Sequence, residues 1–135
     1  MVKHAMTAGL LLALLCGPLA AQEPPPGPAM VFFDWGKLEL RGEDKAVLDK
    51  VAEQWAATPG ARITISGYSD RSGPSAVNLR TSKRRAEAVH DYLAAHGVAR
   101  SAMTLQAFGE QMPVVMTEDG VREVQNRKVE ISFAG

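Results

Sequence analysis

Arg62-Ile63-Thr64-Ile65-Ser66-Gly67-Tyr68-Ser69-Asp70-Arg71-Ser72-Gly73-Pro74 is the stretch on which the fold turns. Its first half alternates strictly, with Ile63 and Ile65 on one face, which is the period of a strand with one covered side. Its second half is polar, and glycines at 67 and 73 flank Tyr68, Ser69, Asp70, Arg71 and Ser72. A loop therefore leaves the C-terminal end of a strand, a place where α/β folds gather ligand-binding groups.

Working outward from that stretch, Glu43 to Thr58 places Val47, Leu48, Val51 and Trp55 at helical spacing, and Thr58-Pro59-Gly60 supplies the stop. Glu43, Asp44, Lys45, Asp49 and Lys50 mix signs on the outer face of that helix. Ahead of it, Met30-Val31-Phe32-Phe33-Asp34 is β-branched and aromatic almost without interruption, which predicts a first strand covered on both faces. Beyond Pro74, a second helix carries Leu79, Ala86, Val89 and Leu93 on one stripe and ends at Gly97 as a left-handed cap. Met103 to Phe108 and Arg127 to Phe133 then alternate as two further strands, separated by a loop rich in Gly, Glu, Asp and Pro. The order β-α-β-α-β-β, with crossovers long enough to hold helices, predicts an α/β domain of the α+β sandwich kind, a mixed sheet with helices packed on it.

A chain of 135 residues, 46% of them apolar, has room for one core. Fifteen basic residues balance fifteen acidic ones, so no global charge argues for nucleic acid or an anionic membrane surface. Residues 1–21 read as an export signal: Lys3 and His4 precede an apolar run from Ala8 to Leu15, and Ala20 and Ala21 suit cleavage. That run is about half the ~20 residues needed to span a bilayer. Residues 22–29 form a proline-rich spacer of extended geometry, and residues 30–135 form the domain. Cys16 is the single cysteine. It is either removed with the signal or acylated as a lipid anchor, and Leu15 before it fits acylation poorly. With Cys16 gone the mature chain has no disulfide, and its stability rests on the core.

On a helical wheel, Asn78 and Arg85 fall on one line at the margin of the apolar stripe, while Arg84 points away. A half-buried guanidinium needs an acceptor, and the loop carboxylate Asp70 is the expected neighbour. Spacing alone leaves two readings open, a structural salt bridge that pins the loop and a pair of opposite charges that binds a ligand. His90 and His96 have no partners at metal-site spacing. Ser69 and Ser72 lack a Gly-x-Ser-x-Gly elbow or a histidine placed to activate them. Asp34 and Asp70 as a glycosidase pair would need one protonated acid, which neighbouring arginines oppose. Trp35 follows the first strand close to the expected pocket and invites a sugar-stacking role, whereas Trp55 belongs to the core stripe.

Gly67-Tyr68-Ser69-Asp70, Gly73, Asn78, the Ser82 to Ala86 stretch and Asn126-Arg127-Lys128-Val129-Glu130-Ile131 together resemble the motifs of the OmpA-like C-terminal domain family, as do Phe33-Asp34 and Phe108-Gly109-Glu110. The resemblance covers Val31 to Phe133 with the elements in the family's order. It implies a non-catalytic domain of the periplasm, associated with peptidoglycan and the outer membrane, with no metal and no cofactor. It further implies that Asp70 and Arg85 hold the zwitterionic end of diaminopimelate in the peptidoglycan stem peptide. Asn78 and Ser72 would support that grip, and the backbone near Gly36 and Val129 would line the pocket. This sequence departs from the family at Tyr68-Ser69, where His-Thr is common, at Thr81 in place of leucine, at Lys128 in place of a second arginine, and at Val121-Arg122-Glu123. Two other readings predict different behaviour: an interaction module for an envelope protein whose Asp70 and Arg85 only pin each other, and a wall hydrolase that would release soluble products.

Overall fold

The computed structural model describes residues 27–134. The export segment, Cys16 and most of the proline-rich spacer lie outside the described residues. Six principal elements follow one another: β1 (Ala29–Phe32), α1 (Gly42–Ala56), β2 (Arg62–Tyr68), α2 (Ser75–Ala95), β3 (Met103–Gly109) and β4 (Lys128–Ala134). This is the expected β-α-β-α-β-β order, and β2 runs two residues past the alternating stretch to include Gly67 and Tyr68.

The sheet has the order β1-β4-β2-β3. β4 is antiparallel to both β1 and β2, whereas β2 and β3 are parallel, so the sheet is mixed. A parallel pair needs a crossover, and α2 supplies it between β2 and β3. Side chains alternate across a strand, so one face of the sheet collects Val31, Ile63, Ile65, Val129 and Ile131, all fully buried. Leu48 and Val51 of α1 and Ala86, Val89 and Leu93 of α2 cover that face and complete the core. Each such valine, leucine or isoleucine side chain contributes about 1.5–3 kcal/mol on burial. Trp55 packs at the core's edge and donates its indole N–H to the Ala61 carbonyl at 2.9 Å.

Gly67 marks the closest approach of β2 to α2. A Cβ there would overlap the Ser82 carbonyl oxygen, so only glycine lets the strand and helix meet at this separation. That approach sets the C-terminal end of β2 against the N-terminal half of α2.

Three expectations are corrected. β1 points Val31 to the face that α1 and α2 cover and Met30 to the opposite face, so Val31 is fully buried while Met30 remains 40% exposed, and the strand is not covered on both faces. Leu79 is 48% exposed and does not belong to the buried stripe. The buried line of α2 is instead Asn78, Ser82, Arg85, Ala86, Val89 and Leu93, polar where the helix faces the loop and apolar where it faces the sheet. Asp44 is buried and not on the solvent face, because its carboxylate turns inward to accept the Arg41 Nε–H at 2.8 Å and the backbone N–H groups of Arg41 and Phe32.

Candidate functional site

A cleft of about 150 Å³ opens where β2 ends, with room for the head group of an amino acid. The loop after β2 brings Ser69, Asp70, Ser72 and Gly73 to it, and α2 brings Asn78, Thr81 and Arg85. Trp35 and Gly36 close one side from the segment after β1, and Gly36 takes a φ of 70°, in the left-handed region that favours glycine. Five of the six residues expected at the site therefore meet: Asp70, Arg85, Asn78, Ser72 and Gly36. Val129, expected there through its backbone, is not among the residues that line the cleft. It sits in the hydrophobic core opposite Val31 and Gly67, because its alternation in β4 turns it toward the helices.

Asp70 is saturated with donors. One carboxylate oxygen accepts the Ser72 hydroxyl at 2.6 Å and the Ser72 backbone N–H at 3.3 Å. The other accepts Arg127 Nη1–H at 2.7 Å and the Glu123 backbone N–H at 3.0 Å. Burial by itself pushes the Asp70 carboxyl up, but the hydrogen bonds from Ser72, Arg127 and Glu123 outweigh it and hold the group below its ordinary value. It is an anion at neutral pH.

Arg127 was not singled out as a site residue from the sequence, although it stands in the quoted Asn126-Arg127-Lys128 motif. It also donates Nε–H to the Phe33 carbonyl at 2.9 Å, so one guanidinium ties the end of β1 to the loop after β2. Only a fold that brings residues 33, 70 and 127 together reveals this role.

The expected acceptor of Arg85 is corrected accordingly. Asp70 spends its lone pairs on Arg127 and Ser72, while Arg85 donates to two main-chain carbonyls, Lys37 at 3.2 Å and Asp34 at 3.4 Å. Arg85 is 2% exposed, and among the described residues no carboxylate forms an ion pair with it. Its carbon Cζ lies 5.3 Å from the centroid of the Phe33 ring. Burial, and after it the like charge of Arg127, push Arg85 down to about 10, against a weaker opposing pull from Asp70. Two guanidinium groups against one carboxylate leave the cleft with one uncompensated positive charge.

The remaining polar groups fix the rim. Asn78 donates its amide to the Gly73 carbonyl at 2.8 Å and to Glu110 at 3.0 Å, holding the end of the loop to the start of α2. Ser69 is buried beside the cleft, and its hydroxyl has no hydrogen-bond partner among the described residues. The arrangement offers a buried cation, an orphaned hydroxyl and a saturated carboxylate around a small opening, which suits a small ligand that carries a carboxylate.

Comparison with known proteins agrees with this architecture. Residues 32–127 match the OmpA family. The chain is 32% identical over 103 residues to the peptidoglycan-associated lipoprotein of Haemophilus influenzae, covering 76% of this chain and 67% of that protein. It is 38% identical over 88 residues to the peptidoglycan-binding protein ArfA of Mycobacterium tuberculosis, covering 65% of this chain but only 27% of the relative. The crystal structure of the peptidoglycan-associated lipoprotein from Burkholderia pseudomallei superimposes with a TM-score of 0.72 at 30% identity, over 78% of this chain and 89% of that one. The chain belongs to the OmpA family.

Proposed function

We propose that this domain binds peptidoglycan without catalysis and that its cleft holds the zwitterionic end of diaminopimelate in the stem peptide. The observation that carries this reading is Arg85, a buried cation beside an open cleft whose hydrogen-bond partners among the described residues are neutral carbonyls. An unpaired buried charge is expensive to keep, and an incoming carboxylate relieves the cost with two parallel hydrogen bonds. The relatives named for peptidoglycan association and peptidoglycan binding support the choice of ligand.

The ammonium of the same head group is met by Asp70 through Ser72. A hydroxyl can donate and accept at once, so Ser72 Oγ keeps its bond to Asp70 while its free lone pair takes an ammonium N–H. The carboxylate behind it balances the charge. Asn78 and Gly36 shape the two ends of the cleft and leave the main chain near the ligand. In this reading the protein works in the periplasm, with residues 1–21 as its export signal, residues 22–29 as a spacer, and wall contact through residues 30–135.

One observation favours a purely structural Asp70: its bridge to Arg127 pins the loop whether or not a ligand is present. The interaction-module reading extends that role to the whole site and assigns an envelope protein as partner. Co-sedimentation with purified peptidoglycan separates the two. Wild type that stays soluble supports the module, wild type that pellets while folded Asp70→Asn and Arg85→Met stay soluble supports the proposed site, and pelleting that survives both substitutions overturns the site.

A further inference from the structure

Arg122 lies over Trp35, a residue that lines the cleft, and its charge is a second one that the described residues leave unpaired. Its guanidinium carbon lies 3.4 Å from the centroid of the Trp35 ring, and no carboxylate of the described residues forms an ion pair with it. A guanidinium stacked on an indole keeps its N–H edge in plane and available, which is the geometry that receives a carboxylate bidentately.

Both members of the stack are anchored to one group. Trp35 donates its indole N–H to Ser72 Oγ at 3.1 Å, and Ser72 Oγ donates in turn to Asp70. Glu123, the residue after Arg122, donates its backbone N–H to the other oxygen of Asp70. The stack is therefore positioned relative to Arg85 by the same carboxylate that frames the cleft. Trp35 is 48% exposed and lines that cleft, so the stack stands at its mouth. With Arg122 lying over the ring, that face of the indole is closed to a sugar, which argues against pyranose stacking there.

We propose that Trp35 and Arg122 form a second anion subsite, which takes a carboxylate of the same ligand one residue away from the group held at Arg85. This rests on the diaminopimelate reading above. In the stem peptide the preceding residue is a D-glutamate linked through its γ-carboxyl, which leaves its α-carboxylate free. The subsite makes the domain sensitive to amidation of that carboxylate, because a neutral amide loses the charge-assisted bonds.

The test is calorimetric titration of the tripeptide L-Ala-γ-D-Glu-diaminopimelate, with the glutamate α-carboxylate free or amidated, into wild type and Arg122→Gln. Arg122 lies on the surface, and the glutamine variant keeps the chain folded. Wild type is expected to prefer the free carboxylate by about fivefold, the upper range for a partly exposed ion pair. Arg122→Gln is expected to bind both peptides alike, with the affinity for the amidated one unchanged. Equal affinities in wild type, or a preference that survives Arg122→Gln, or an equal loss for both peptides in the variant, would overturn the subsite and leave the Arg85 reading standing. Failure of wild type to bind either peptide would remove both.

Discussion

Replacing Gly67 by alanine drives a methyl group into the main chain of α2. The new Cβ would overlap the Ser82 carbonyl oxygen, lie 2.9 Å from its carbonyl carbon and 3.2 Å from Ala86 Cβ. The first two obstacles are backbone in mid-helix, so no change of rotamer relieves them. Restoring ordinary contact requires α2 and β2 to separate by about 1 Å over that turn. Overpacking of this kind costs about 1–3 kcal/mol, and a clash with main chain belongs at the upper end. At about 4–8 °C per kcal/mol for a domain of this size, Tm falls by roughly 12–24 °C. Because α2 carries Asn78 and Arg85, ligand binding weakens even in the molecules that remain folded. Thermal and urea denaturation followed by circular dichroism measure the effect. Gly42→Ala is the control, since a Cβ at that helix-start position meets nothing within 4 Å. A Gly67→Ala protein that melts within about 2 °C of wild type would refute the claim that strand and helix touch through this glycine.

Other outcomes follow from the charges. Arg127→Ala leaves Asp70 buried without its cation and is expected to cost about 3–5 kcal/mol in urea denaturation; a cost below about 1 kcal/mol would show that the bridge does not hold the loop. Arg85→Met has the opposite sign: burial and the like charge of Arg127 push its guanidinium down to about 10 and so disfavour the charged form, and the variant melts no lower than wild type while it loses the wall. For Asp70 the folded value lies below the unfolded one, so its contribution is complete above the unfolded value of about 3.9 and disappears as pH falls through the depressed folded value. Stability curves from pH 6 to 2 should therefore be steeper for wild type than for Asp70→Asn, and parallel curves would contradict the assignment.

The stretch from Arg62 to Pro74 made the centre of the fold legible because its period changes where the strand becomes loop. Helix order and the line from Asn78 to Arg85 were legible for the same reason, since periodicity reports which side of an element faces inward. Periodicity does not report what lies opposite. Met30 and Val31 look alike in sequence, yet they point to opposite faces and the helices cover the face of Val31, so the two residues separate into exposed and buried. Leu79 fits an apolar wheel, but that part of α2 faces a polar loop. Asp70 and Arg85 were natural partners by charge, whereas the fold brings Arg127 from 57 positions away to take that carboxylate. The consequence is functional: of the two arginines that line the cleft, Arg127 takes the acid and Arg85 is left without one.

The central claim is that Arg85 waits for the carboxylate at the end of a diaminopimelate side chain. Calorimetric titration of two stem tripeptides that differ only in having diaminopimelate or lysine at the third residue tests it most directly, because lysine keeps the ammonium and lacks that carboxylate. The account predicts that wild type binds the diaminopimelate peptide and discriminates against lysine, and that Arg85→Met abolishes the difference. Equal binding of both peptides by wild type, or discrimination that persists in Arg85→Met, would contradict it.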